Sequence, residues 1–273
     1  MPATFKDLTI DNPLLIEAKR YGRRFIGLGR EKGQIAYLYL VGAIYLVLVV
    51  LALAYHDAFS SFTIIAIQTG IACIVVPSVA QNAVAGEREK RTWDLLIVAP
   101  ISRAQIVIGK YLSVVLVLAV MELCFLPLAV ICFDSSAETR NGVISAEFIS
   151  IGFGILLAAF STYVSSITIR SLACQSMTYM GTFLWMIAFP FLIGAISVAD
   201  PALPKAFMWM HPFVTMYYIS NQHGQEMFNG AQGMYNTPYT WWFQTAFYLG
   251  LTALFVLLAV GGANSKRIDS GGS

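Results

Sequence analysis

Residues 148–169 of the chain read FISIGFGILLAAFSTYVSSITI, which is 22 consecutive positions without Asp, Glu, Lys or Arg. An α-helix rises about 1.5 Å per residue and the hydrocarbon core of a bilayer is about 30 Å thick, so roughly 20 apolar residues are enough to cross it. This stretch therefore predicts a membrane-spanning helix.

Similar, nearly uncharged stretches recur along the chain. They predict six spans, at about residues 34–56, 59–84, 107–133, 147–169, 176–199 and 243–263. The chain is 58% hydrophobic and only 12% charged, whereas soluble domains carry about 25% charged residues. These proportions exclude an ordinary soluble enzyme, a disordered protein and a nucleic-acid-binding protein, which needs a basic face. The sequence predicts an all-α membrane protein, with a six-helix transmembrane domain at 34–265 between an N-terminal segment at 1–33 and a tail at 266–273.

The positions of the basic residues predict the orientation in the membrane. With both termini in the cytoplasm, 15 of the 17 Lys and Arg residues lie on the cytoplasmic side, and only Arg140 and Lys205 lie on the other. Cytoplasmic loops carry an excess of Lys and Arg. The predicted topology is therefore N-in/C-in.

Two segments outside the spans have interfacial character. Residues 13–30 place an apolar stripe at helical spacing opposite five basic residues, which favours an amphipathic interfacial helix over a plain basic flank. Residues 200–242, between spans 5 and 6, are rich in aromatic side chains and predict short interfacial or re-entrant helices on the outer side. His211 and His223 have no fixed carboxylate partner there, so no metal site is predicted.

The charged segment, residues 85–110, joins spans 2 and 3. It places six charges in eight residues, from Glu87 to Asp94. Ser102 and Gln105 have the spacing of a capping box, which predicts the start of the next helix. The pattern indicates a short cytoplasmic amphipathic helix followed by a turn. Its mixed charges favour docking on a soluble protein, because a helix lying on lipid is mainly basic; a solvated loop is the alternative.

The charged segment resembles the permeases of type 2 ATP-binding-cassette (ABC) exporters. Their pattern is roughly E-R-E-x-G-T, then L-L, x-x-P-x-S-R and I-x-x-G-K, and the chain matches it at Glu87, Arg88, Glu89, Thr92, Leu95, Leu96, Pro100, Ser102, Arg103, Ile106, Gly109 and Lys110. It departs from the pattern where Arg91 replaces the usual glycine and Trp93 and Asp94 replace the usual Glu-Leu. The six spans, the interfacial helix before the first and the long outer segment before the last are also similar to this family.

This resemblance implies a permease of the bacterial cytoplasmic (inner) membrane that pairs with a second copy or a homologue and binds separate ABC ATPase subunits. ATP and Mg²⁺ would be held by the ATPase subunits, because the chain contains no Gly-x-x-x-x-Gly-Lys-Ser/Thr phosphate loop. The chain is thus expected to bind no cofactor or metal and to catalyse no reaction itself. The element that couples it to the ATPase would comprise Glu87, Arg88, Glu89, Arg91, Thr92, Trp93, Asp94, Pro100, Ser102 and Arg103, with Trp93 as a buried anchor.

Glu122 is the one charged residue well inside a predicted span, which makes it a candidate for the translocation pathway. A protonated or hydrogen-bonded side chain without a transport role is the equally weighted alternative.

Span 4 carries small residues at steps of four, which favours packing within the chain over a seam between protomers. These residues are Gly154, Ala158, Thr162 and Ser166.

The alternatives to an exporter permease are other kinds of membrane protein. A secondary transporter using Glu122 is one alternative, although such proteins usually carry several intramembrane acids or paired broken helices. An intramembrane enzyme would need a catalytic motif that the sequence lacks. A non-transporting membrane scaffold stays open. The weakly charged spans favour an amphiphilic substrate such as a lipid, a drug or a peptide.

Overall fold

A computed structural model describes residues 45–47, 49–54, 60–93, 96, 102–133, 140–192, 195, 210–220 and 240–263. These residues form helices and the turns between them, with no β-strand among them. The helices are, in chain order, α1 (Tyr45–Ala54), α2 (Ser61–Ala80), α3 (Ala85–Glu89), α4 (Arg103–Ile131), α5 (Arg140–Ile167), α6 (Ser171–Phe183), α7 (Pro212–Ser220) and α8 (Thr240–Ala263).

Four apolar helical stretches are long enough to cross a membrane. They are Ser61–Glu89, Arg103–Ile131, Arg140–Ile167 and Trp241–Ala263, and they coincide with the predicted spans 2, 3, 4 and 6. The first has 29 residues, more than the roughly 20 that a bilayer requires, so its charged end at residues 87–89 extends beyond the hydrocarbon.

The other two predicted spans are described only in part. Span 1 overlaps α1, and span 5 overlaps α6 and its helical continuation to residue 192. A total of six spans therefore stays a prediction. The predicted interfacial helix at residues 13–30, Asp94, Pro100, His223 and the C-terminal tail lie outside the described residues.

Helix α5 lies at the centre of the bundle, where it contacts α2, α4, α6, α7 and α8. Its small residues allow this close approach. A Cβ atom added at Gly154 would lie 2.7 Å from Leu118 Cδ2 of α4, and Ala158, Thr162 and Ser166 are fully buried within the chain. The interpretation that these small residues serve packing within the chain is therefore confirmed. Edge-to-face ring pairs, such as Phe160 with Phe255 at 5.4 Å between centroids, fill the seam between α5 and α8.

Beyond the end of α6 at Phe183 the chain stays helical, but its hydrogen-bonding pattern changes to a π-helical turn at Leu184–Ala188. A π turn contains one residue more than an α turn and disturbs the regular ladder of carbonyl acceptors. The Met186 carbonyl in this turn lies 3.0 Å from His211 Nε2, and His211 Nδ1 accepts a weak hydrogen bond from the Val214 N–H at 3.4 Å. His211 thus links α6 to the start of α7, a short helix within the predicted outer segment.

Helix α5 begins at Arg140, seven positions before the predicted start of span 4. Glu147 therefore lies two turns inside this helix. The prediction that Glu122 is the one charged residue well inside a span requires correction, because Glu147 lies within the apolar helical stretch Arg140–Ile167. The predicted span 4 begins at about residue 147, so Glu147 stood at its edge rather than well inside it.

Candidate functional site

The charged turn, residues 81–93, leads from the end of α2 into α3 and back toward α4. Two buried backbone N–H groups of this turn donate hydrogen bonds to a side chain that is distant in the sequence. The Val84 and Ala85 N–H groups both donate to Ser165 Oγ of α5, each at 3.0 Å. Since the first N–H groups of a helix have no partner within that helix, Ser165 fixes where α3 begins.

Helix α3 ends in a Schellman motif, in which the Thr92 N–H donates to the Glu87 carbonyl at 2.9 Å and the Arg91 N–H donates to the Arg88 carbonyl at 3.0 Å. The residue after the cap of such a motif is left-handed, and Arg91 has φ 57°. Glycine adopts this conformation without steric cost. The geometry explains the usual glycine of the family pattern and shows that arginine forms the same turn.

Glu87 is held by two contacts within its own chain. Its Oε1 lies 2.9 Å from Lys110 Nζ, and its Oε2 accepts a hydrogen bond from the Thr92 hydroxyl. Burial by itself raises the pKa of Glu87, but the hydrogen bond from Thr92 and the positive charge of Lys110 outweigh it and lower that pKa below its ordinary value. Glu87 is therefore an anion that ties α3 to the first turns of α4.

Arg88 reaches the C-terminal end of α5. Its guanidinium donates to the Ser166 carbonyl at 2.5 Å and to the Thr168 carbonyl at 3.3 Å. It also lies over the ring of Trp93, 5.2 Å from the centroid. A cation is favourable here, because the last carbonyl groups of a helix carry partial negative charge.

Glu89 supplies a cap to α6. Its carboxylate accepts hydrogen bonds from the Ser171 N–H at 2.9 Å and from the Ser171 hydroxyl, whereas Arg170, at the N-cap position, makes no side-chain capping bond. These hydrogen bonds lower the pKa of Glu89. An acidic side chain at a helix N-terminus stabilises its unpaired N–H groups.

Trp93 is 3% exposed and packs into a small apolar cluster between the start of α4 and the end of α8. The other buried members are Val84, Ile106, Val107, Ala259 and Ala263. No acceptor among the described residues reaches its indole Nε1. Trp93 is therefore an anchor within its own chain.

The start of α4 has the predicted capping box. Ser102 Oγ accepts from the Gln105 N–H at 3.2 Å, and Gln105 Oε1 accepts from the Ser102 N–H at 2.8 Å. Arg103 then donates to the Ala263 carbonyl at the end of α8, at 3.1 Å. The predicted residues Glu87, Arg88, Glu89, Thr92, Trp93, Ser102 and Arg103 are thus brought to one end of the bundle.

These contacts separate the charged turn into two faces. Glu87, Arg88 and Trp93 face the chain's own helices, whereas Lys90 and Arg91 are exposed. Contact of any of these residues with an ATPase stays a prediction.

A second polar cluster lies toward the other end of the bundle, where α2, α4 and α5 meet. Glu122 continues the buried stripe of Leu118 and Phe125 on α4 and is 6% exposed. Its carboxyl group contacts that of Glu147 on α5, and Glu147 Oε1 accepts from Gln68 Nε2 of α2 at 3.1 Å. Two negative charges held close together and away from water repel each other strongly.

The sequence pattern pointed to Glu122 but not to Glu147 or Gln68. One signal was available: Glu147 falls seven positions before Gly154, on the same face of the helix as the buried small residues. Gln68 gave no comparable signal, because an uncharged amide does not interrupt an apolar stretch. The described residues contain no group of three or more His, Cys, Asp or Glu side chains that could hold a metal ion.

Comparisons with known proteins assign the chain to a family of membrane transporters. A family model described as "ABC-2 family transporter protein" matches residues 52–261. Two relatives, from Escherichia coli strain K12 and Escherichia coli O157:H7, are each named "Probable multidrug ABC transporter permease YbhR". Each is 26% identical over 162 residues, which is 59% of this chain and 42% of the relative, so the match spans less than half the length of these relatives. Because the family model covers well over half of the chain, the protein belongs to the ABC-2 family of transporter proteins.

Proposed function

We propose that this chain is the transmembrane permease subunit of an ATP-driven exporter, in which a separate nucleotide-binding subunit hydrolyses ATP with Mg²⁺. Membership of the ABC-2 family supports a transporter, and the names of the relatives support a permease of the multidrug class. In this proposal the chain has six spans with both termini in the cytoplasm of a bacterium and works beside a second copy or a homologue. Its cargo is an amphiphilic molecule.

One observation carries the coupling part of the proposal: the charged turn contacts four other helices at one end of the bundle. Glu87 pairs with Lys110 of α4, Arg88 with the end of α5, Glu89 with the start of α6, and Trp93 packs on α8. A displacement of the turn by an ATPase would therefore be transmitted to all four helices. Such rigid transmission is how a nucleotide-driven closure shifts a bundle between two arrangements.

The exposed side chains are the best candidates for the contact itself. Lys90 and Arg91 project from the turn without being needed for the internal contacts described above. The predicted coupling element also includes Asp94 and Pro100, which lie outside the described residues. The inward-facing residues would then transmit motion rather than touch the ATPase.

The test is a double charge reversal, Lys90→Glu with Arg91→Glu, in the full-length chain co-expressed with its ATPase. We expect co-purification and stimulation of ATP hydrolysis to fall at least tenfold, which corresponds to about 1.4 kcal/mol of binding free energy. Arg140→Glu is the matched control, because Arg140 is also exposed but lies at the far end of α5 from the turn. Unchanged binding and hydrolysis in the double variant would contradict the proposed contact.

Reversal of Glu87 and Glu89 is a less informative test. Both carboxylates accept hydrogen bonds from distant parts of the chain, so their reversal would disturb the bundle whether or not an ATPase binds there.

A secondary transporter is the alternative that the acids Glu122 and Glu147 favour, because intramembrane carboxyl groups are typical of ion-coupled transport. The two functions differ in their energy source. Substrate movement into sealed vesicles by the chain alone, driven by an ion gradient without ATP, would support this alternative over the exporter.

A further inference from the structure

The cluster of Glu122, Glu147 and Gln68 contains more hydrogen-bond acceptors than donors. Both carboxylate oxygens of Glu122, Oε2 of Glu147 and Oε1 of Gln68 are buried, and no described residue donates a hydrogen bond to any of them. Within the described part of the chain, the one donor directed at the cluster is the Gln68 amide, which bonds Glu147 Oε1. Buried polar groups are nearly always satisfied, so four such oxygens together indicate a missing positive partner.

The helices around the cluster do not supply that partner from their described residues. On α2, the Thr69 hydroxyl is shared between the Ile65 carbonyl and Ser150 Oγ of α5. The Tyr45 hydroxyl of α1 donates to the Cys124 carbonyl, and the Tyr248 hydroxyl of α8 donates to the Met210 carbonyl.

The other titratable groups near the cluster, among the residues that the structure describes, are also accounted for. His211, at the start of α7, is bonded to the Met186 carbonyl. Arg140 is exposed at the first residue of α5, two turns before Glu147, and forms no ion pair with either acid. Cys124 lies on the exposed face of α4.

Two carboxylates in contact away from water cannot both stay charged without a cation. A metal ion would require a cavity and several ligands directed into it, whereas the four oxygens are closed off from solvent. A proton requires no cavity, and it converts one carboxylate into a donor for the other. We propose that Glu122 and Glu147 form an intramembrane proton-binding site, in which one shared proton joins the two carboxyl groups and Gln68 holds Glu147 in position.

Glu147 is partly exposed and Glu122 is buried, so Glu147 lies nearer the surface of the bundle. Binding adds one proton to the pair of carboxylates and changes its total charge from two negative to one negative; release reverses that change and returns the proton to the solvent. This inference concerns the chain alone and does not depend on an ATPase partner.

The test is infrared spectroscopy of the full-length protein in lipid nanodiscs at neutral pH in potassium buffer. A protonated carboxyl group has a C=O stretching band that is separate from the bands of carboxylates and that shifts in D₂O. We expect the wild type to show this band, and we expect Glu122→Gln and Glu147→Gln each to lose it. Gln68→Leu is expected to shift the band, because the hydrogen bond to Glu147 is removed.

Glu87→Gln is the matched control. Glu87 is an ionised acid outside the hydrocarbon, so its replacement should leave the band unchanged. Absence of the band in the wild type at neutral pH would overturn the proposal and needs no variant to fold. Persistence of the band in both acid variants would also overturn it. A band that disappears when sodium replaces potassium would assign the site to a metal ion instead, and the proton proposal would fail.

Discussion

The Lys110 ammonium lies 2.9 Å from the Glu87 carboxylate, so the two ends of the charged segment are paired with each other. Both side chains are about three-quarters buried, with 22% and 25% exposure. The Thr92 hydroxyl completes the environment of the same carboxylate. The described parts of the segment, residues 85–93 and 102–110, are therefore tied to each other within the chain.

The Glu87–Lys110 pair should contribute measurably to stability. We expect Glu87→Gln and Lys110→Met each to lower the free energy of unfolding by about 1 kcal/mol, since the pair is partly buried and hydrogen-bonded. The double variant should lose less than the sum of the two single losses. Unfolding in detergent, followed by circular dichroism, measures this cycle. Strictly additive losses would show that the two charges do not interact.

The contribution of Glu87 should also depend on pH. The pKa of Glu87 is lower in the folded protein than its ordinary value of 4.5, so its stabilising effect is fully present above that value and is lost as the pH falls through the folded pKa. The difference in melting temperature between the wild type and Glu87→Gln should therefore be constant from about pH 8 to about pH 6 and should vanish in strong acid. Other acids titrate in both proteins and cancel in this comparison. A difference that grows on acidification would contradict the assignment.

Arg91 occupies a left-handed position that favours glycine. We expect Arg91→Gly to stabilise the protein by up to about 1 kcal/mol, because relief of strain exceeds the entropy gained by the unfolded chain. Arg91→Val should destabilise it, because a β-branched side chain tolerates this conformation least. The melting temperatures of the two variants, measured against the wild type, check the prediction. A destabilising glycine would show that the arginine side chain makes a contact that matters more than the backbone.

Trp93 should be required for its volume rather than for its indole N–H. Trp93→Ala leaves a cavity in the cluster between α4 and α8, and we expect a loss of about 3–5 kcal/mol. Trp93→Phe should lose much less, since no described acceptor reaches Nε1. Thermal unfolding of both variants separates the two effects. Equal losses would indicate that the indole N–H has a partner outside the described residues.

Gly154 should be sensitive to the smallest addition. In Gly154→Ala the new methyl group would lie 2.7 Å from Leu118 Cδ2, and moving Leu118 should cost about 1–3 kcal/mol. Gly250→Ala is the control within a helix, because nothing lies within 4 Å of its added Cβ; it should be neutral or slightly stabilising, as alanine favours helix. Leu118→Ala removes the side chain that the new methyl group would meet. The double variant Gly154→Ala with Leu118→Ala should therefore lose less stability than the sum of the two single losses. Equal effects of the two glycine substitutions would contradict the packing of α4 on α5.

Local patterns predicted local features well. Helices α2, α4, α5 and α8 follow from apolar stretches alone, because crossing hydrocarbon requires a continuous hydrogen-bonded helix. The Ser102–Gln105 capping box was also predictable, because both partners lie within one turn. Glu122 was identified because a charge inside a span is rare.

Long-range contacts were beyond the reach of the same patterns. The partners of Arg88 and Glu89 lie about 80 positions along the chain, at Ser166 and Ser171, and nothing in either neighbourhood encodes the pairing. The resemblance to a family predicted a coupling role for the charged segment. It did not indicate that several of its side chains contact the chain's own helices. The helix start at Arg140 was missed because α5 continues past the apolar stretch into its polar flank.

The π turn at Leu184–Ala188 alters how this part of the chain must be compared with its relatives. One additional residue in a helix rotates every later side chain by about 100° relative to an uninterrupted helix. A relative without the extra residue would superpose on both halves of this helix only if its alignment contained a single-residue gap near these positions. Substitution patterns for residues 189–192 should therefore be compared after that gap, or lipid-facing and core-facing positions will be interchanged.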